Sequence, residues 1–214
     1  MIAKSNVIKV NPQYPSDAAI TQAVATVRAG GVIAFPTRCL YGLGADAFNA
    51  EAVDRIFGIK ERSPRNPILI LIDRTSRLDQ LVSEVPPVAV RIMNHFWPGR
   101  ITLVFKAGEA VPHYLTAGTG RIGIRLPGHP VAATLVKALQ TPLTGTSANL
   151  SGKPGCRRIE DLEKQIAGKL DLILDAGTLN GGIGSTVVDV TIEPPKILRE
   201  GEVSGAEIMT ILET

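Results

Sequence analysis

The sequence predicts an α/β fold, a mixed sheet with helices flanking it. Helical stripes alternate along the chain with short apolar strands, which is the element order of that class. Aromatic residues make up only 4% of a chain that is 44% hydrophobic, so the core is built from Val, Ile, Leu and Ala. That composition suits a buried sheet under helices. Ile68–Ile72 is apolar at every position, as expected for a strand covered on both faces.

Each element has a local reason. Ser16 or Asp17 caps a helix running to about Ala29, with Ile20, Ala23, Val24 and Val27 on one stripe. Gly30-Gly31 ends it, and Val32–Phe35 reads as a buried strand. Thr37–Asp46 reads as a loop. Asn49 caps a second helix bearing Val53, Ile56 and Phe57, which stops before Pro64. After the Ile68–Ile72 strand, helical pieces are predicted over Thr75–Val82 and Pro87–Phe96. Trp97-Pro98-Gly99 turns the chain into a strand, Ile101–Phe105, and residues 111–120 form a loop or short helix. Arg121–Arg125 alternates as a strand stopped by Pro127, Pro130–Leu139 is helical, and Leu143 starts another strand. Beyond a polar loop, Ser147–Arg158, come a helix (Ile159–Ala167) and strands at Leu170–Leu174, Ser185–Val190 and Lys196–Arg199. No repeat, low-complexity stretch or long linker divides the chain. We therefore read one domain over residues 1–214, with a core of about 16–203 and a closing helix at 205–212.

The formal charge of +3 and pI near 9.0 are compatible with a polyanionic ligand, but a scattered surplus does not mark a nucleic-acid surface. Cys39 and Cys156 lie 117 positions apart with no CxxC, which argues against a structural zinc and for a reducing, cytoplasmic compartment. Met1–Val10 lacks the apolar core of a signal peptide, and the longest apolar run is too short to cross a membrane. No protein-held metal is expected.

Two polar clusters stand where regular elements meet loops. Lys60 continues the stripe of the second helix, seven residues after Val53, so it should emerge at the edge of the buried side. Arg62 can grip a phosphate through two parallel hydrogen bonds, and Lys60 can add a mobile point charge. A solvated helix end, with cations offsetting its dipole, accounts for the same residues. Ser147 and Asn149 follow a short strand, at the kind of position where open α/β sheets bind ligands. Their hydroxyl and carboxamide can read a nucleoside or hold phosphate, or can form an Asx or Ser turn. No GxxxxGK[ST], complete Rossmann fingerprint or GxSxG is present, and His95, His113 and His129 are isolated and read as structural.

Phe35-Pro36-Thr37, Tyr41-Gly42-Leu43-Gly44, Lys60-Glu61-Arg62 and Asn66-Pro67 resemble the opening half of the threonylcarbamoyl-AMP synthase family, the YrdC-like domain. The similarity continues in order through Trp97-Pro98-Gly99, Ile124-Arg125-Leu126-Pro127, His129-Pro130, residues 146–152, Ser185 to Asp189 and Leu198-Arg199-Glu200-Gly201. The resemblance implies a twisted sheet around a basic concave cleft, in the short single-domain form. It implies synthesis of L-threonylcarbamoyladenylate and pyrophosphate from L-threonine, bicarbonate and ATP, for N6-threonylcarbamoyl modification of tRNA. Mg²⁺ would arrive with ATP, and tRNA or tRNA-modification proteins would be further partners. By the same resemblance, Lys60 and Arg62 are catalytic, and together with Asn66, Arg121, Ser147, Asn149 and Arg199 they contact ATP. Cys39, Leu71, Arg125, Gly145 and Ser185 fall at threonine-binding positions, Arg125 pairing with the carboxylate. Several depart from the family's usual residues: Cys39 stands for a frequent Thr, Leu71 for His, Gly145 for Ala, and Arg38 for an acidic residue. Arg121 likewise replaces a small or hydroxylic residue. A site of Lys, Arg, Ser and Asn works by positioning and charge neutralisation, without a covalent nucleophile. A diverged paralogue acting on another amino acid or nucleotide, and an RNA-binding module, are the alternatives.

Overall fold

The computed structural model describes residues 6–213; residues 1–5, which belong to the stretch read as lacking a signal peptide, and residue 214 lie outside the described residues. In chain order the elements are β1 (Val7–Lys9), α1 (Asp17–Arg28), β2 (Ile33–Pro36), β3 (Tyr41–Gly44), α2 (Ala50–Lys60), β4 (Ile70–Leu71), α3 (Leu78–Leu81), α4 (Pro87–Phe96) and β5 (Ile101–Lys106). They continue with α5 (His113–Thr116), β6 (Arg121–Arg125), α6 (Pro130–Leu139), β7 (Leu143–Thr144), β8 (Thr146–Ser147), α7 (Lys164–Ala167), β9 (Leu172–Asp175), β10 (Thr186–Asp189), β11 (Lys196–Arg199) and α8 (Gly205–Glu213). Ser16 and Asn49 cap α1 and α2 as expected, their side-chain oxygens accepting the N–H groups of Ala19 and Ala52.

The α/β class holds, but the strands form two mixed sheets rather than one. The first has the order β1-β9-β2-β3-β8 and the second β11-β10-β5-β6-β4-β7. Thr37–Asp46 is not all loop: Tyr41–Gly44 returns antiparallel to β2. The strand expected over Ile68–Ile72 pairs only at Ile70 and Leu71, and the helix expected over Ile159–Ala167 breaks into a 3₁₀ turn and α7. Thr75–Val82 likewise splits into a 3₁₀ turn and α3.

Burial explains the layers. Alternation in β2 sends Ile33 and Phe35 to one core cluster, with the stripes of α1 and α6, and Ala34 to the other. The first sheet is thus covered on both faces. The second buries Ile101, Leu103, Phe105, Ile122 and Ile124 against Ala89, Ile92, Met93 and Phe96 of α4. Residues of its opposite face line a cavity, and that cavity is the site.

Candidate active site

Period-two alternation decides what the open face presents. In β6 the sequence Arg-Ile-Gly-Ile-Arg buries Ile122 and Ile124 and turns Arg121, Gly123 and Arg125 the other way. In β5, Thr102 and Val104 share that face. Together with Leu69, Leu71, Val187, Asp189 and Arg199 they line a cavity of about 630 Å³, closed by the Thr37–Gly42 turn, His129 and Ala132 at the start of α6, and Ser147.

Register aligns one row of this face. Leu71 partners Arg125, Thr102 partners Val187, and Val187 partners Arg199. Thr102 and Arg125 both lie one step beyond the Leu103–Ile124 pair, so the row runs Leu71, Arg125, Thr102, Val187, Arg199. The next row contains Gly123, whose missing side chain leaves room above Leu69; a Cβ there would stand 3.2 Å from Leu69 Cβ.

Five arginines line the cavity (Arg38, Arg62, Arg121, Arg125, Arg199) against a single carboxylate, Asp189. Their states differ. Arg121 Nη1 donates to Asp189 Oδ2 at 2.8 Å, and the other Asp189 oxygen accepts from the Thr191 N–H and hydroxyl. Arg199 Nη2 donates to the Ser185 carbonyl and Arg62 Nη2 to that of Pro67, each at 2.7 Å. Arg38 pairs with Glu202 at 2.6 Å. The Arg125 side chain makes no hydrogen bond or ion pair with the described residues, and its Nε is buried without a partner. Burial lowers its pKa, opposed by the attraction of Glu202. An uncompensated guanidinium facing a cavity is a demand for an anion.

Of the residues expected at the site, Cys39, Arg62, Leu71, Arg121, Arg125, Gly145, Ser147, Ser185 and Arg199 line the cavity. Lys60, Asn66 and Asn149 do not. Asn66 is exposed in the turn after α2. Lys60 does not emerge at an edge: it is only 2% exposed, and its ammonium donates to the carbonyls of Ser147 and Asn149, the latter at 2.8 Å. The Ser151 N–H returns a hydrogen bond to the Lys60 carbonyl at 2.8 Å. Asn149 in turn spends its amide on the carbonyls of Leu150 and Lys153. The two clusters are therefore tied to each other. Burial lowers the Lys60 pKa to about 8, with Arg62 adding repulsion.

Sequence reasoning passed over Thr102, Gly123, Leu69 and Asp189 as site residues. The signal existed for the first two, since they alternate with buried residues on their strands. It required knowing which face stays open. Cys39 is buried in the cavity wall, and desolvation raises its thiol pKa. His129 Nδ1 accepts the Val131 N–H at the start of α6, a structural cap. Among the described residues no three His, Cys, Asp or Glu side chains converge as a metal site, and no helix is long and apolar enough to cross a membrane.

The comparisons agree with this architecture. The threonylcarbamoyl-AMP synthase of Pyrococcus abyssi is 38% identical over 186 residues, 87% of this chain and 55% of that one. The crystal structure of P. abyssi Sua5 complexed with L-threonine matches with a TM-score of 0.91 and 36% identity, over 96% of this chain and 60% of that one. Escherichia coli YciO matches with a TM-score of 0.86 and 31% identity, over 94% and 98% of the two chains. The chain thus spans little more than half the length of the curated Pyrococcus relative. Residues 25–201 match the Sua5/YciO/YrdC family model, described as "Telomere recombination", and the chain belongs to that family.

Proposed function

We propose that the cavity forms L-threonylcarbamoyladenylate and pyrophosphate from L-threonine, bicarbonate and ATP, as a nucleotidyltransferase serving N6-threonylcarbamoyl modification of tRNA. The observation that carries this reading is Arg125, a half-buried guanidinium whose Nε has no partner, set between apolar and hydroxyl neighbours on the cavity face. An amino-acid carboxylate satisfies it. The threonine-bound relative and the synthase named above support the choice of amino acid and reaction.

In this mechanism the threonine amine and bicarbonate combine with loss of water to give an N-carboxylated amino acid. Its new carboxylate oxygen bonds to the α-phosphorus of ATP, and the bond from that phosphorus to the β-phosphate oxygen breaks, releasing pyrophosphate. Arg62, Arg121 and Arg199 neutralise the polyphosphate, and Ser147 offers a hydroxyl at the cavity wall. Lys60 acts behind them, holding the Ser147–Asn149 backbone in place. Asp189 is the one lining carboxylate and is already engaged by Arg121, so Mg²⁺ fits here as an ion carried in on ATP and its waters, not as a resident of the protein. The protein as a cytoplasmic enzyme, and tRNA or tRNA-modification proteins as downstream partners, follow from the same reading.

Mass spectrometry after incubation with ATP, bicarbonate and threonine tests it. The adenylate is expected from the native chain and not from Arg125→Ala. Its absence with native protein, under conditions where ATP binds, would remove the reading. The residues Cys39, Leu71 and Gly145, which line the cavity and depart from the family's usual ones, favour one alternative, a paralogue using this cavity for another amino acid. Turnover of a different amino acid with none of threonine would establish that instead.

A further inference from the structure

Asp189, the last residue of β10, is the one carboxylate on a cavity wall that otherwise offers arginines. It is only 1% exposed, and its two oxygens have separate duties. Oδ1 accepts the Thr191 N–H at 2.9 Å and the Thr191 hydroxyl at 2.6 Å, closing the turn after the strand. Among the described residues Oδ2 accepts from Arg121 Nη1 alone, at 2.8 Å, and that arginine side chain is 47% exposed. The turn needs the first oxygen, and an asparagine would serve it as well. The second oxygen is spent entirely on a cation of the site.

Register fixes where that cation stands. Arg121 and Arg125 share a face of β6, four residues and about 13 Å apart at 3.3 Å per residue. Val104 partners both Gly123 and Asp189, so Asp189 lies in the row between them and reaches Arg121 across β5. Of the three arginines on this sheet, Arg199 belongs to the row of Arg125 and Arg121 stands at the opposite end. With the amino-acid carboxylate on Arg125, an in-line displacement sends the pyrophosphate out on the far side of the α-phosphorus. Arg121 is the cation placed to meet it.

Pyrophosphate and Asp189 then draw on the same guanidinium. Two effects of Asp189 oppose each other: it orders a long side chain, and it sets a negative charge beside a multiply charged anion. Ordering concerns one side chain. The like charge acts on every charge of the anion and is the larger effect. We infer that Asp189 is a positioning residue acting through Arg121, competing with the polyphosphate for that guanidinium and so setting how readily pyrophosphate leaves. This rests on the function proposed above.

The test is titration calorimetry of the full chain with inorganic pyrophosphate and Mg²⁺, alongside kcat and KM for ATP. Asp189→Asn keeps an acceptor for Thr191 and removes the charge facing Arg121, so pyrophosphate should bind about 10-fold tighter. KM for ATP should fall with it, while kcat does not rise. Arg121→Gln should weaken pyrophosphate binding by about 10-fold, the opposite sign. A merely structural Asp189 weakens binding in both variants. Thr191→Val withdraws one donor from Asp189, tightens its hold on Arg121 and should weaken pyrophosphate binding; if Asp189→Asn does not fold, this variant decides. Affinity unchanged or reduced in folded Asp189→Asn, or unchanged or raised in Thr191→Val, overturns the inference, as does native protein that binds no pyrophosphate. The expected shifts in a protein that makes no threonine adenylate leave the competition standing and overturn the proposed function, so the two failures are told apart.

Discussion

Lys60 and Arg125 carry the same charge and are used in opposite ways. Lys60, at the end of α2, is enclosed and its ammonium is engaged by the carbonyls of Ser147 and Asn149, with Asn149 Oδ1 a further 3.5 Å neighbour. The Arg125 side chain, at the end of β6, has no partner among the described residues and faces the cavity. A satisfied cation is a fastener, and an unsatisfied one is a receptor. The difference teaches that charge and burial alone do not identify a binding residue; hydrogen-bond satisfaction does.

The sharpest way to break this contrast is Arg125→Met. Removing a group that pairs with a ligand charge costs about 2–5 kcal/mol of binding, so kcat/KM for threonine should fall by roughly 30-fold or more. Urea unfolding should show stability unchanged or raised, since the variant discards a half-buried guanidinium whose Nε has no partner. A large loss of stability would mean that Arg125 is structural after all.

Lys60→Met should do the reverse. Two carbonyls lose their donor, so stability should drop by about 1–3 kcal/mol, with activity falling through disorder of the Ser147–Asn149 backbone. The urea midpoint and the protease sensitivity of residues 147–153 measure it. If the midpoint holds while ATP affinity collapses, Lys60 is a ligand contact and the contrast fails.

The pH dependence separates the two roles further. The Lys60 pKa is lowered to about 8 in the folded protein, so between about 8 and its ordinary value near 10.5 the unfolded chain binds the extra proton. Lys60 therefore makes stability rise with pH across that window, as deprotonation lifts the cost of burying charge. Activity should fall over the same range, because a neutral amine is a poorer clamp on the two carbonyls. Lys60→Met should lose both trends; a native pH–rate profile flat from 7 to 10 contradicts the assignment.

The smallest effect belongs to Arg38→Ala. Its pairing with Glu202 joins the turn between β2 and β3 to the segment after β11, but Arg38 is largely exposed. Such a pair contributes about 0–1 kcal/mol, so a small, salt-sensitive shift in melting temperature is expected.

Much of this was legible from residue order. The spans of α4, α6, β6 and β11 follow from proline boundaries, helical stripes and alternation, and the caps of α1 and α2 from Ser16 and Asn49. The placement of Arg125 on the site is a consequence of Arg-Ile-Gly-Ile-Arg and its resemblance to the family. Less legible were the strands of two to four residues. β1 and β3 find their hydrogen-bond partners far away or beyond a turn read as loop, so nothing local marks them. The division into two sheets also eluded the sequence, because an apolar strand reads alike whether its second face meets a helix or a cavity.

The sequence by itself determined the α/β class, the helices and the side chains offered by each strand, since those depend on periods of 3.6 and 2 within one segment. Only the tertiary structure decided which offers became a site. It turned Lys60 inward onto Ser147 and Asn149, left the Arg125 side chain without a partner, and set Asp189 against Arg121. Hydrogen-bond satisfaction and charge pairing are properties of neighbours in space, and no local pattern in a chain specifies them.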